Sequence, residues 1–170
     1  MNLKRALLSS CIPFAMVVSA VSATAAPVHQ ADSKAEANTI LREIQSDAAD
    51  AAGHAYNLQS FEGTLDLTWQ SHAIQLEGVK DEINDMGVKL ARLESIRNSV
   101  APAQRDLIDR TAATLRLMAD NTQDALVFGN ANQKSLWLAK YQHYVNDLCN
   151  EANSLTHSVE SAGFARAVEE

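Results

Sequence analysis

The clearest regularity along the chain is a run from Leu65 to Leu93 in which Trp69, His72, Leu76, Val79, Ile83, Met86 and Leu90 recur at alternating steps of four and three. A 3.5-residue period is a heptad seam, and it predicts a long helix, about 66–98, packed with a left-handed twist against partner helices. A second seam of Ala37, Leu41, Ile44, Ala48, Ala51, Ala55 and Leu58 predicts a helix over about 34–59. Its alanines leave room for a neighbour to approach closely.

Ser99 and Pro102 mark a stop and a restart. Proline in a first turn loses an N–H that has no helical acceptor anyway, so a third helix is expected over about 102–128. Its seam is Ile108, Thr111, Leu115, Met118, Thr122 and Ala125, flanked by Leu107 and Leu126, and Gly129 is expected to close it. A fourth helix is expected over about 135–161, with Trp137, Tyr141, Tyr144, Leu148, Ala152, Leu155 and Val159 on one side. In that register Trp137 points inward, and Gly163 ends the helix.

Four long amphipathic helices joined by short connectors predict an all-α fold, an antiparallel up-down-up-down four-helix bundle spanning 34–162. Residues 26–33 read as a disordered lead-in, with Asp32 or Ser33 as the cap of the first helix, and 163–170 as a frayed tail unless Phe164 packs back. The one stretch with extended character is Gly63–Leu67, which holds Thr64, Leu65 and Leu67.

Residues 1–25 have a different composition: Lys4 and Arg5, an apolar stretch from Ala6 to Val21, then Ala23-Thr24-Ala25. This is the three-part pattern of a secretory signal peptide cleaved after Ala25, which makes the remainder an exported protein, periplasmic or secreted. Ser9, Ser10 and Pro13 interrupt the apolar stretch and leave it short of the roughly 20 residues a bilayer needs. An uncleaved anchor is therefore the weaker alternative. Cys11 follows Leu8-Ser9-Ser10 in the manner of a lipoprotein box, but Ile12, Phe14 and Met16 continue the apolar stretch beyond it, so it belongs to the signal.

The full chain of 170 residues carries a net charge of −7. Losing Lys4 and Arg5 with the signal takes its 14 basic residues to 12, against 21 acidic ones, a net charge of −9. Nucleic-acid binding needs clustered Lys and Arg to release counterions, and no helix face shows such a cluster. Adhesion to anionic lipid is disfavoured for the same reason. Loss of Cys11 leaves Cys149 as the one cysteine, either a buried thiol or a disulfide link to another chain.

No motif calls for a cofactor. Glu-x-x-His, His-Glu-x-x-His, Cys-x-x-Cys-His, a Walker loop, Gly-x-Ser-x-Gly and an EF-hand loop are all missing. His72 on a core seam needs a hydrogen-bond partner, for which Thr111, Thr122 or a tyrosine hydroxyl are candidates, or else a ligand. With Met86 and Met118 it makes the weak outline of a haem or metal site in the bundle core. His143 and His157 stand four turns apart, about 21 Å, too far to share a metal. Gly78 and Gly87 inside the second helix imply close approach of a bulky neighbour such as Trp137, or a kink or ligand gap.

Asn130 and Asn132, with Trp137 and Tyr141 behind them, form the richest candidate for recognition of a peptide or sugar; capping and stapling explain them equally well. The leading functional expectation is a non-enzymatic interaction or structural module, with a protein partner or a second copy of itself. The alternative is a carrier holding haem, a metal or an apolar ligand around His72, Met86 and Met118. A secreted enzyme ranks third, because spacing brings no Ser, His and acid together.

Overall fold

A computed structural model describes the backbone of residues 26–61 and 68–167, and the side chains of 31–61 and 68–161. Within these residues the protein is all-helical: α1 (Ala26–Ser60), α2 (Trp69–Ile96), α3 (Pro102–Ala131) and α4 (Ala139–Ala167), with a 3-10 turn at Arg97–Ser99. The signal segment with Cys11, the Gly63–Leu67 piece and the Phe164 side chain lie outside the described residues.

The predicted seams face the core, except for Trp137 at the head of the fourth. Ala37, Leu41, Ile44, Ala48, Ala51, Ala55 and Leu58 of α1 are all buried, as are Leu76, Val79, Ile83, Met86 and Leu93 of α2. Ile108, Leu115, Met118 and Ala125 of α3 join Leu148, Ala152, Leu155 and Val159 of α4 in one apolar cluster. Burying a side chain of this size removes about 1.5–3 kcal/mol of unfavourable hydration, which is why the seams dominate the fold.

Packing follows a ring in which α1 lies against α2 and α4, and α3 against the same two helices. Polar cross-links run along the seams. Glu36, Asp47 and His54 of α1 meet Arg92, Lys89 and Gln75 of α2, so partner numbers fall along α2 as they rise along α1. The same inverse order links Tyr56 and Gln59 of α1 to Asn153 and Asn146 of α4. Asn121 of α3 reaches Glu151 of α4 at 2.8 Å.

Helix boundaries depart from the sequence expectation at four ends. α1 begins at Ala26, so 26–33, expected as a disordered lead-in, is helical and runs through Asp32 and Ser33. Ser33 is itself buried, one turn before Ala37, so the seam extends upstream and gives this turn a face to bury. α3 runs through Gly129 to Ala131, and Asn132 is its C-cap, with its side-chain Nδ2 donating to the Phe128 carbonyl at 2.8 Å. α4 starts at Ala139 rather than about 135 and continues past Gly163 to Ala167.

The start of α3 shows how a polar residue is kept in the core. Ala101 has no side-chain acceptor to offer, yet Gln104 is fully buried and returns half of a capping box, with its Oε1 accepting from the Ala101 N–H at 3.2 Å. Its Nε2 donates to the Lys34 carbonyl and to Asn38 Oδ1 at 2.9 Å, tying α3 to α1.

Candidate functional site

Aromatic residues concentrate where α1 and α3 end and α2 and α4 begin. His72, only 5% exposed, sits edge-on to Phe61, the residue just past the end of α1, with ring centroids 5.1 Å apart. On its other side its Nδ1 lies 3.0 Å from the hydroxyl of the fully buried Tyr141 of α4. Tyr141 in turn stacks on Phe128 of α3, whose ring also meets Tyr144 edge-on. Four helix ends are thus joined through one chain of rings.

Burial lowers the His72 pKa and pushes the Tyr141 phenol well above its ordinary value. Both groups are therefore neutral near pH 7, and the tautomer of the neutral ring sets whether the phenol donates to Nδ1 or Nδ1–H donates to the phenol oxygen. The three hydrogen-bond partners expected for His72 from sequence include a tyrosine hydroxyl, which is the one it takes. Thr122 instead donates to the Met118 carbonyl at 2.7 Å, and the buried Thr111 hydroxyl finds no partner among the described residues.

The three residues considered for a cofactor are not brought together. His72 and Met86 stand four turns apart on α2, about 21 Å along the axis, so they cannot ligate the same iron. Met86 and Met118 are both fully buried among apolar side chains of the core cluster. No group of three or more His, Cys, Asp and Glu among the described residues is placed to hold a metal ion.

The recognition set divides. Trp137, expected to point inward, does the opposite, with 75% of its surface exposed. The reason is local: α4 starts only at Ala139, so Trp137 belongs to a pair of turns, Ser135 N–H to Asn132 O and Leu138 N–H to Ser135 O, and helical phase does not govern it. Tyr141, in the first turn of the helix proper, is buried and cannot meet a partner. Asn132 is engaged in capping α3, while the exposed Asn130 accepts from Gln133 at 3.3 Å.

Among the described residues, charge at this end is one-sided. Residues 125–146 carry Lys134, Lys140 and His143 and no carboxylate, in a chain of net charge −7. The Lys140 ammonium lies over the Phe128 and Tyr144 rings at 5.8 and 5.9 Å. Elsewhere carboxylates crowd. Burial, then Asp47, Asp50 and Asp85, raise the Glu82 pKa. Burial likewise raises that of Glu151, whose Oε2 is buried with no partner among the described residues.

Two other expectations are narrowed. Of the two alternatives for Cys149, a buried thiol or a link to another chain, the structure shows a thiol buried at 3% exposure on the inner side of α4. The bulky neighbour of Gly78 is His54, whose ring would lie 2.6 Å from a Cβ there, rather than Trp137; Gly87 has open space above it. The sequence had no signal for the ring of Trp69 lying on Gly129, since that contact joins helices through residues distant in the chain. The chain matches no protein-family model, no curated protein and no solved structure.

Proposed function

We propose that this protein is an exported, non-enzymatic interaction or structural module of the periplasm or cell exterior, built on an antiparallel up-down-up-down bundle. The inverse order of the cross-links between α1 and α2, and between α1 and α4, supports that topology. The observation that carries the functional reading is Trp137. A large aromatic side chain left 75% exposed beside Lys134 and Lys140, while every seam residue around it is packed, is the kind of anchor that interfaces use.

Support for a carrier is weaker, because His72 is already bonded to Tyr141 and stands four turns from Met86. Export rests on the composition of residues 1–25. The test is the mass of the protein recovered from its own exported fraction, under native and then denaturing non-reducing conditions. A denatured mass of the chain from Ala26, with a larger native mass that Trp137→Ala reduces to one chain, supports the reading. A small-molecule mass lost on denaturation, or a single chain in both variants, overturns it.

A further inference from the structure

We propose that His72 and Tyr141 form an acid-sensitive latch that holds the connector bearing Trp137 against the four helix ends. The latch stands on geometry and does not depend on what Trp137 meets.

Tyr141 is the hinge point of the arrangement. Its N–H closes the last turn of the connector onto the Leu138 carbonyl at 2.9 Å, one turn from Trp137. Its ring packs on Phe128 and its hydroxyl bonds His72. Gln142 adds a strap, with its Nε2 donating to the Leu136 carbonyl at 3.2 Å. Loosening the His72–Tyr141 contact therefore removes the hydrogen bond that ties this end of the connector to α2, leaving Leu136 in the core cluster as its apolar anchor.

Protonation of His72 does this because, among the described residues that converge there, no carboxylate meets a positive charge. The segments that converge there are 55–61 of α1, 68–76 of α2, 125–131 of α3 and 132–146 leading into α4. They contain no Asp or Glu. Their titratable and charged groups are Tyr56, Tyr141, Tyr144, Lys134, Lys140 and His143; what disfavours a charge on His72 is its burial. Tyr56 is exposed and donated to by Asn153, and His143 pairs with Asp147 at 3.3 Å on the outer side of α4. Glu62 and Asp66 lie in 62–67, outside the described residues. A charged imidazole carries N–H on both ring nitrogens, so Nδ1 can then only donate to the phenol oxygen, which reverses the bond in the tautomer whose Nδ1 accepts.

The direction in pH follows. A histidine whose pKa is lowered by folding leaves the latch intact above its ordinary value of 6.5 and weakens it as pH falls below that value toward the folded one. An exported protein meets the pH of its surroundings, so the latch would open at the connector while the apolar middle of the bundle stays closed.

Amide hydrogen exchange on the full chain, expressed as protection factors, tests this. Between about pH 7.5 and about pH 5, protection over 70–76 and 138–145 is expected to fall about tenfold relative to 83–90 and 111–118. His72→Gln, which can still bond Tyr141 but does not charge, should abolish that relative change. Equal loosening of all four segments, no relative change in the wild type, or the same change in His72→Gln would overturn the latch. If His72→Gln does not fold, the imidazole resonances of His72 in the wild type decide. A titration midpoint that coincides with the loss of protection supports the latch, and one that does not coincide overturns it.

Discussion

Gly129 lies directly beneath the indole of Trp69, so that a Cβ at this position would collide with the ring. The contact brings the last turn of α3 under the first residue of α2 and removes any freedom to enlarge it. Alanine in a helix interior is ordinarily worth about 1 kcal/mol more than glycine. At Gly129 that gain is overridden, and overpacking of this kind costs about 1–3 kcal/mol. Gly129→Ala is therefore expected to lower the urea midpoint. Gly87→Ala, with nothing within 4 Å of its Cβ, is expected to raise it. Equal shifts in the two variants would show that the ring does not lie against Gly129.

Helix positions and their inner faces were legible because they are written locally. A residue's turn and its place on a seam depend on neighbours three and four positions away, and every apolar seam residue of α1 obeys that rule. Pairings across helices were not legible. His72 has three candidate partners and takes Tyr141, and Gly78 packs on His54 rather than Trp137, because seam spacing gives the face of a residue and not its height against the next helix. Trp137 departs from expectation for a different reason: phase does not carry backward through a helix start that the turns after Asn132 move to Ala139. The one residue the functional reading depends on is thus the one for which periodicity has no authority.

Glu151 gives the most direct pH prediction outside the latch. Its Oε1 accepts from Asn121 at 2.8 Å, but its Oε2 is buried without a partner among the described residues, and Asp147 and Asp120 add like charge. A carboxyl whose pKa folding raises costs stability once pH climbs past its ordinary value near 4.5, where the unfolded chain ionises freely and the folded one resists. Glu151→Gln retains an acceptor for Asn121 and offers an amide to the neighbouring carboxylates. Its Tm is expected to exceed the wild type's at pH 7 and to converge on it below about pH 4.5. An advantage independent of pH would assign the effect to packing instead.

Cys149 provides a check on the inner face of α4. Buried thiols react slowly with aromatic disulfide reagents because neither reagent nor base reaches the sulfur. Native protein is expected to show slow, incomplete reaction at neutral pH and full reaction in denaturant. Fast native reaction would mean that α4 is rotated so as to turn the sulfur toward solvent.

Trp137 and Trp69 offer a final contrast, because one chain supplies the same side chain in two environments. Trp69 is half-buried over Gly129 and packs on the core cluster, so Trp69→Ala removes contact area and leaves a void, a loss of about 3 kcal/mol or more if the site cannot collapse. Trp137 touches solvent over most of its surface, so Trp137→Ala is expected to change stability by no more than about 0.5 kcal/mol. The functional reading requires the opposite ranking in solution assembly, where Trp137→Ala abolishes association and Trp69→Ala weakens it only in proportion to unfolded chain. Chemical denaturation and sedimentation on the same preparations give both rankings. If Trp137→Ala were strongly destabilising, the side chain would belong to the core and could not serve as the anchor; if it changed neither stability nor assembly, Trp137 would be an unused surface residue and the proposed interaction site would have to be sought elsewhere.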